Sequence, residues 1–266
     1  MQGQSAEQYC ATAERKEHDA SSSFSAPNMS AHAVKSLLQE HNLPTNNVVV
    51  QTVMQMSPIR PGDHDSRREV LQHAEAYHFL CVTHIKEPLT ADLILRAHGI
   101  LMNKVMHSDI ARAGQLVLAG QYRSTAVFAG FVVFPPYSVV PRAVENLLER
   151  YEAFKADKRD PYSLASVLSY DFVAIHPFED GNGRMSRLLL NRVLAEYGLP
   201  FPIALGFGSH HKARAHYMQC IANTAKRGGQ PKQLSTVVLA SVRHGWQIFM
   251  NGCPSPVEKS RESSAV

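Results

Sequence analysis

Between Pro161 and Ile175 the residues Leu164, Val167, Leu168, Asp171, Phe172 and Ile175 stand at i, i+3, i+4, i+7, i+8 and i+11, the period of one helical face. Pro177 then forbids the helix to continue and pushes His176 out of the right-handed helical region. A Gly-Asn-Gly turn follows, Gly181 to Gly183, and after it a second apolar run begins. The same period recurs along the chain. Ser30 stands as an N-cap before Val34, Leu37 and Leu38. Ser66 to Val82 carries Val70, Leu71, Ala74, Tyr77 and His78, and Thr90 caps a segment with Leu93, Ile94, Ala97, Ile100, Leu101 and Val105. Helices are also predicted over Pro141 to Phe154, Gly183 to Tyr197, Lys212 to Lys226 and Leu234 to Phe249. One stretch differs: VFAGFVVF, within Gly120 to Pro136, is β-branched and aromatic, is interrupted by Gly130 and stops at Pro135-Pro136. It reads as a short extended hairpin. The expected fold class is all-α, a helical bundle with a short β-hairpin.

Composition excludes several classes. At 266 residues the chain makes one large domain or two small ones, and 44% apolar against 19% charged residues supports a substantial core. No run approaches the roughly 20 apolar residues that cross a bilayer. The N-terminus lacks the apolar segment of a secretory signal. Cys10, Cys81, Cys220 and Cys253 are scattered without metal or disulfide spacing, so the expected compartment is cytoplasmic, with no membrane association. The 27 basic and 23 acidic residues leave +4 with no basic block, which gives no case for nucleic acid. His210-His211 has no partner at metal-ligand spacing. Residues 1–30 and 251–266 are polar and Ser-rich and are expected to be mobile or disordered. Residues 31–64 read as an N-terminal helix and linker, and 65–250 as one domain.

The break between the two clearest helices carries the chemistry. A helix end followed by Gly-Asn-Gly and a new helix N-terminus gathers free backbone N–H groups and a positive dipole end at one spot, as a phosphate cradle does. Taking Arg184 as zero at about 100° per residue, Arg187 falls near about 300° and Asn191 near about 340°, so two guanidiniums and an amide share one helix face. Met185, Leu189 and Val193 occupy another face, and Leu190 with Leu194 a third, which marks the helix as largely buried. Half-buried arginines need an anionic partner, and a polyphosphate suits both. Asp180 could hold a Mg²⁺ ion bridging phosphate oxygens, and His176 could accept a proton from an incoming hydroxyl. Taken singly these residues also have ordinary structural roles: turn chemistry for Asp180 to Gly183, and pairing of the arginines with Asp171 or Glu179.

Together, His176-Pro177-Phe178, Asp180-Gly181-Asn182-Gly183-Arg184 and Arg187 resemble the signature of the Fic (filamentation induced by cAMP) family, H-P-F-x-D/E-G-N-G-R-x-x-R, at every specified position. Gly120-Gln121-Tyr122-Arg123, Val127, Gly130 and Pro135-Pro136 resemble the family's target-docking flap, and similarity extends over about residues 65 to 250. The resemblance implies a Fic-type helical bundle and AMPylation: transfer of AMP from MgATP to a Ser, Thr or Tyr hydroxyl of a protein, releasing pyrophosphate. It implies His176 as general base, Asp180 as Mg²⁺ ligand and Phe178 as the anchor of the loop. Gly181, Asn182, Gly183, Arg184 and Arg187 become the phosphate site, Asn191 and Tyr217 candidates for the adenine pocket, and Phe131 and Val132 the strand that docks the target. A homodimer is left open.

The chain is closest in pattern to the metazoan and bacterial members with an N-terminal inhibitory helix, whose motif S/T-x-x-x-E-G/N supplies a Glu to the second motif arginine. Aligning Met29 to Glu40 with that region places Ser25 at the Glu position, and a serine cannot supply the anion; a second alignment offers Glu40. The first predicts AMPylation without release from inhibition. Two rival readings stand beside it: transfer of another phosphate-linked group such as UMP or phosphate, and an inactive binding module. Gly183 argues against the phosphate-transferring branch, which tends to carry Lys there, and the intact signature argues against the inactive module.

Overall fold

The computed structural model describes residues 31–43, 45, 64–106, 115–129, 132–205, 210–226 and 229–252. In chain order its helices are α1 (Ala31–Glu40), α2 (His64–His78), α3 (Ala91–Leu101), α4 (Val140–Ala156), α5 (Pro161–Ile175), α6 (Asn182–Glu196), α7 (His210–Lys226) and α8 (Lys232–Gly252). Between α3 and α4 stand two short strands, β1 (Phe128–Ala129) and β2 (Val132–Val133), paired antiparallel with Ala129 opposite Val132. The all-α architecture with a small hairpin is therefore as expected.

Local chemistry sets the helix ends. Thr90 caps α3, its hydroxyl accepting the Leu93 N–H at 3.2 Å. Asp160 caps α5 by accepting the Ser163 N–H at 2.9 Å, and Pro161 occupies the first turn, where no donor is missed. At the other end of α5, His176 leaves the right-handed helical region, as its place before Pro177 requires, but takes the left-handed conformation (φ 52°, ψ 61°) rather than the extended one a pre-proline residue prefers. The helix α6 is apolar on most of its circumference, and Met185, Leu188, Leu189, Leu190 and Val193 are fully buried. Each such side chain contributes about 1.5–3 kcal/mol of burial free energy.

The helix pair α5–α6 is the centre of the molecule. It packs along its whole length, with α4, α8 and the end of α2 laid over it. Leu164, Leu168, Phe172 and Phe178 join the α6 residues in one core, while Val34 and Leu38 of α1 meet Val70 and Ala74 of α2 in a smaller satellite. Arg192, with no exposed surface, is satisfied inside the core. It donates to the carbonyls of Leu80, His84, Ile85 and Glu87, and to the Glu196 carboxylate at 2.7 Å. A single turn of π-helix, Phe79–Thr83, extends α2 and presents the first of those carbonyls.

The short hairpin expected within Gly120 to Pro136 is present, with Phe128 opposite Val133 and Ala129 opposite Val132. Gly120 turns in the left-handed region (φ 75°), and the carbonyls of Thr125 and Pro135 accept from the buried Arg123. One expectation is corrected: the helix α8 runs on to Gly252, past the Asn251 at which a disordered tail was expected. Ser30, residues 1–30 and residues 253–266 lie outside the described residues. No helix among the described residues is long and apolar enough to cross a membrane.

Candidate active site

His176 stands where α5 stops. Its N–H still bonds back to the Phe172 carbonyl at 3.0 Å, but its φ of 52° swings the chain away from the helix axis. A non-glycine residue in this region is held there only by its surroundings. The ring lies parallel to Phe134 at 3.8 Å between centroids, and Nδ1 is 3.2 Å from the Val173 carbonyl. A carbonyl can only accept, so Nδ1 carries the proton and Nε2 keeps its lone pair. Burial pushes the imidazole down to about 4, helped by the Arg123 charge. It is neutral at physiological pH, with a basic nitrogen at hand.

The loop from Pro177 to Gly181 is closed by its own residues. The Asn182 amide accepts the Phe178 N–H at 2.9 Å and donates to the Phe178 carbonyl at 2.8 Å. Asn182 therefore shapes the cradle with its side chain and faces ligands only with its backbone. Phe178 is fully buried. Its ring stacks on His98 of α3 at 3.6 Å, with 4° between planes. His98 also accepts the Gly120 N–H at Nδ1 (2.9 Å), so Nε2 bears the proton and donates it to the Asp180 carbonyl (3.0 Å). Burial pushes this imidazole down to about 4 as well, and its one N–H and one lone pair are both used. Gly181 has φ 80°, and a methyl group there would lie 2.7 Å from Met102 Sδ.

At the start of α6 the first intrahelical bond runs from the Met185 N–H to the Gly181 carbonyl, so the N–H groups of Asn182, Gly183 and Arg184 precede the helical ladder. The guanidinium of Arg187 folds back toward them, with Nη1 at 3.6 Å from the position a Gly183 Cβ would take. Arg184 pairs with Glu69 of α2, Nη1 to Oε2 at 3.4 Å. This partner was not foreseen, and Asp171 is instead bound to Arg150 of α4. Asp180, half-buried at the same helix end, accepts the Gly181 N–H. Two arginines, three amides and one carboxylate thus converge on one helix terminus, a few residues from a neutral imidazole.

The flap is tied to this loop by Arg123, 2% exposed. Its backbone N–H donates to the Pro177 carbonyl (2.9 Å) and its Nε to the His176 carbonyl (2.8 Å); its other nitrogens reach the carbonyls of Thr125 and Pro135 on the two arms of the hairpin. Phe128, Val132 and Val133 are exposed at its tip. Phe131 lies outside the described residues, as does Ser25. Glu40 is exposed at the last position of α1.

The adenine candidates are placed differently. Asn191 is on the arginine face of α6, but its amide clamps the backbone of Ile203: Nδ2 donates to the Ile203 carbonyl at 3.0 Å and Oδ1 accepts its N–H at 2.7 Å. Tyr217 of α7 is buried with its hydroxyl 3.3 Å from that of Ser186, about 200° around α6 from Arg184. Its phenol is not brought to the arginine face. Sequence reasoning missed His98 and Glu69, and gave Arg123 only as part of the flap resemblance. A signal existed for His98, which completes the 94–97–98–101 stripe of α3 and so is a polar residue at a core position.

Residues 88–194 match the Fic/DOC family. A Fido domain-containing protein of Dictyostelium discoideum is 33% identical over 129 residues, which are 48% of this chain and 89% of that protein. The chain belongs to the Fic/DOC family. The protein adenylyltransferase Fic of Nematostella vectensis is 30% identical over 153 residues, 54% of this chain but only 33% of that protein. The chain thus spans about a third of the length of that adenylyltransferase. Among solved structures, a fragment of Caenorhabditis elegans Fic-1 superposes with a TM-score of 0.59 at 21% identity, covering 84% of this chain and 72% of the fragment, which shows the shared fold.

Proposed function

We propose that this protein is a protein adenylyltransferase, moving AMP from ATP to the hydroxyl of a Ser, Thr or Tyr side chain. The observation that carries the reading is a neutral imidazole, with Nε2 free to accept, held beside a helix terminus that presents amides and two arginines. Reactions at phosphorus depend chiefly on positioning and on stabilising charge, and that is what these groups offer. The α6 amides, Arg184 and Arg187 would receive the phosphates. The target hydroxyl oxygen bonds to the α-phosphorus, its proton passes to His176 Nε2, and the bond from that phosphorus to the pyrophosphate oxygen breaks. The Phe134 ring and the Val173 carbonyl keep Nε2 aimed during the transfer.

Mg²⁺ fits the donor chemistry. A single carboxylate, Asp180, next to a phosphate cradle is the usual protein share of an ion held otherwise by phosphate oxygens and water, and there its charge would offset that of the phosphates. The exposed, two-residue strands of the flap leave backbone groups for an added target strand, and Arg123 links that hairpin directly to the carbonyl of His176.

The test is incubation of the purified protein and a lysate with ATP labelled at the α-phosphate. Label is expected on protein from wild type, and a loss of roughly 100-fold or more with His176→Ala. Label carried only from the γ-phosphate, or outcompeted by UTP, would assign a different transferred group. Glu40→Ala is expected to leave labelling unchanged; a silent wild type and an active Glu40→Ala would make Glu40 the inhibitory residue in place of the Ser25 alignment.

A further inference from the structure

His73, on α2, is a buried imidazole that nothing among the described residues satisfies. It is 1% exposed, and neither ring nitrogen has a hydrogen-bond partner. Burying a polar ring in this state carries a penalty that a folded protein normally avoids, so the exception asks for a missing partner. Its position says which. Glu69 meets Arg184 across the α2–α6 contact, and farther along in the same direction Cys81 Sγ meets the Leu188 carbonyl and Arg192 meets the Leu80 carbonyl. The two segments therefore run in the same sense. His73 lies one turn beyond Glu69 on the same face of α2, as Arg187 lies one turn beyond Arg184 on α6. Burial, helped by the charges of Arg187 and Arg184, holds His73 well below its ordinary pKa. It stays neutral, with one N–H to give.

No cation will bind between a neutral imidazole and two guanidiniums, and Glu69 already faces Arg184. What suits a ring N–H beside two arginines is an anionic oxygen that all three donors share. Arg187 stands over the α6 amides, so the oxygen would belong to the part of a polyphosphate farthest along that face. We propose that His73 is a third phosphate-binding side chain, donating its ring N–H to the terminal phosphate of a nucleoside triphosphate held on Arg187. This rests on the nucleotide-transfer reading above and adds to it a residue from a different helix, one that distinguishes a triphosphate from a diphosphate.

The experiment measures ATP and ADP binding, with Mg²⁺, to the full chain by calorimetry. His73→Phe, which keeps a ring but no donor, is expected to weaken ATP about 10-fold or more, to leave ADP within about twofold, and not to lower the melting temperature. His73→Gln, which restores a donor, is expected to recover most of the ATP affinity. In wild type, the ¹⁵N ring resonances that vanish in His73→Gln should move on adding ATP and stay in place on adding ADP. Undiminished ATP binding by His73→Phe, equal losses of ATP and ADP, or unmoved ring resonances would each overturn the role of His73. A wild type that binds neither nucleotide would overturn the transferase reading itself, which separates the two failures.

Discussion

Gly181 and Gly183 flank the same asparagine yet do different work. At Gly181 the backbone is left-handed, and a Cβ would lie 2.7 Å from Met102 Sδ and 3.2 Å from His98 Nε2. The methionine can bend aside, but His98 is held by the Gly120 N–H and the Asp180 carbonyl. Gly181→Ala is therefore expected to cost about 2–4 kcal/mol, the left-handed penalty plus overpacking, read as a lower midpoint in denaturant. At Gly183 a methyl group meets nothing closer than Arg187 Nη1 at 3.6 Å, an ordinary contact. Gly183→Ala should unfold like wild type and lose nucleotide affinity, because the methyl occupies the space in front of the amides. A Gly181→Ala protein as stable as wild type would refute this division. The two glycines, His176 and both arginines are legible in the sequence because a turn and a helix start are local events. The pairing of Arg184 with Glu69 spans 115 residues and has no local sign.

Among the elements, the flap and the Pro177–Gly181 loop act as one unit through Arg123. Its side chain serves carbonyls at Thr125, Pro135, Ile175 and His176, so the hairpin arms and the end of α5 share one buried donor. Removing it leaves several acceptors unsatisfied, at about 1–3 kcal/mol for each one that stays buried. Arg123→Met should raise amide exchange across residues 126–129 and 132–134 and at His176, and should reduce labelling of a protein target more than it reduces ATP binding. Unaltered exchange in the hairpin would show that the strands hold themselves in place. The VFAGFVVF pattern announced extended chain but not its extent. The carbonyls of Thr125 and Pro135, outside the paired residues, are taken by a guanidinium, whereas α5 matched its predicted limits because Asp160, Pro161 and Pro177 punctuate it locally.

For the whole molecule, the buried histidines couple the site to stability. His98 and His176 both titrate in the folded protein at about 4, against an ordinary value of about 6.5. Between these values the unfolded chain binds more protons, so stability is full above about pH 6.5 and is lost as pH falls toward about 4. Each histidine gives a slope of up to about 1.4 kcal/mol per pH unit in that window. Urea unfolding at a series of pH values should show the decline, and His98→Gln should remove about one proton from it; a flat profile from pH 6.5 to 4.5 would mean these rings are charged in the folded state. The sequence alone determined the helical class, the break at His176 and the start of α6, since periodicity, proline and glycine act over a few residues. Tertiary structure alone decided that His98 locks the loop, that Arg123 holds the flap, that Asn191 clamps Ile203, that Glu69 pairs with Arg184 and that His73 is buried on α2. Those are contacts between distant segments, and a buried polar group takes its role from whichever partner the packing brings within reach of a hydrogen bond.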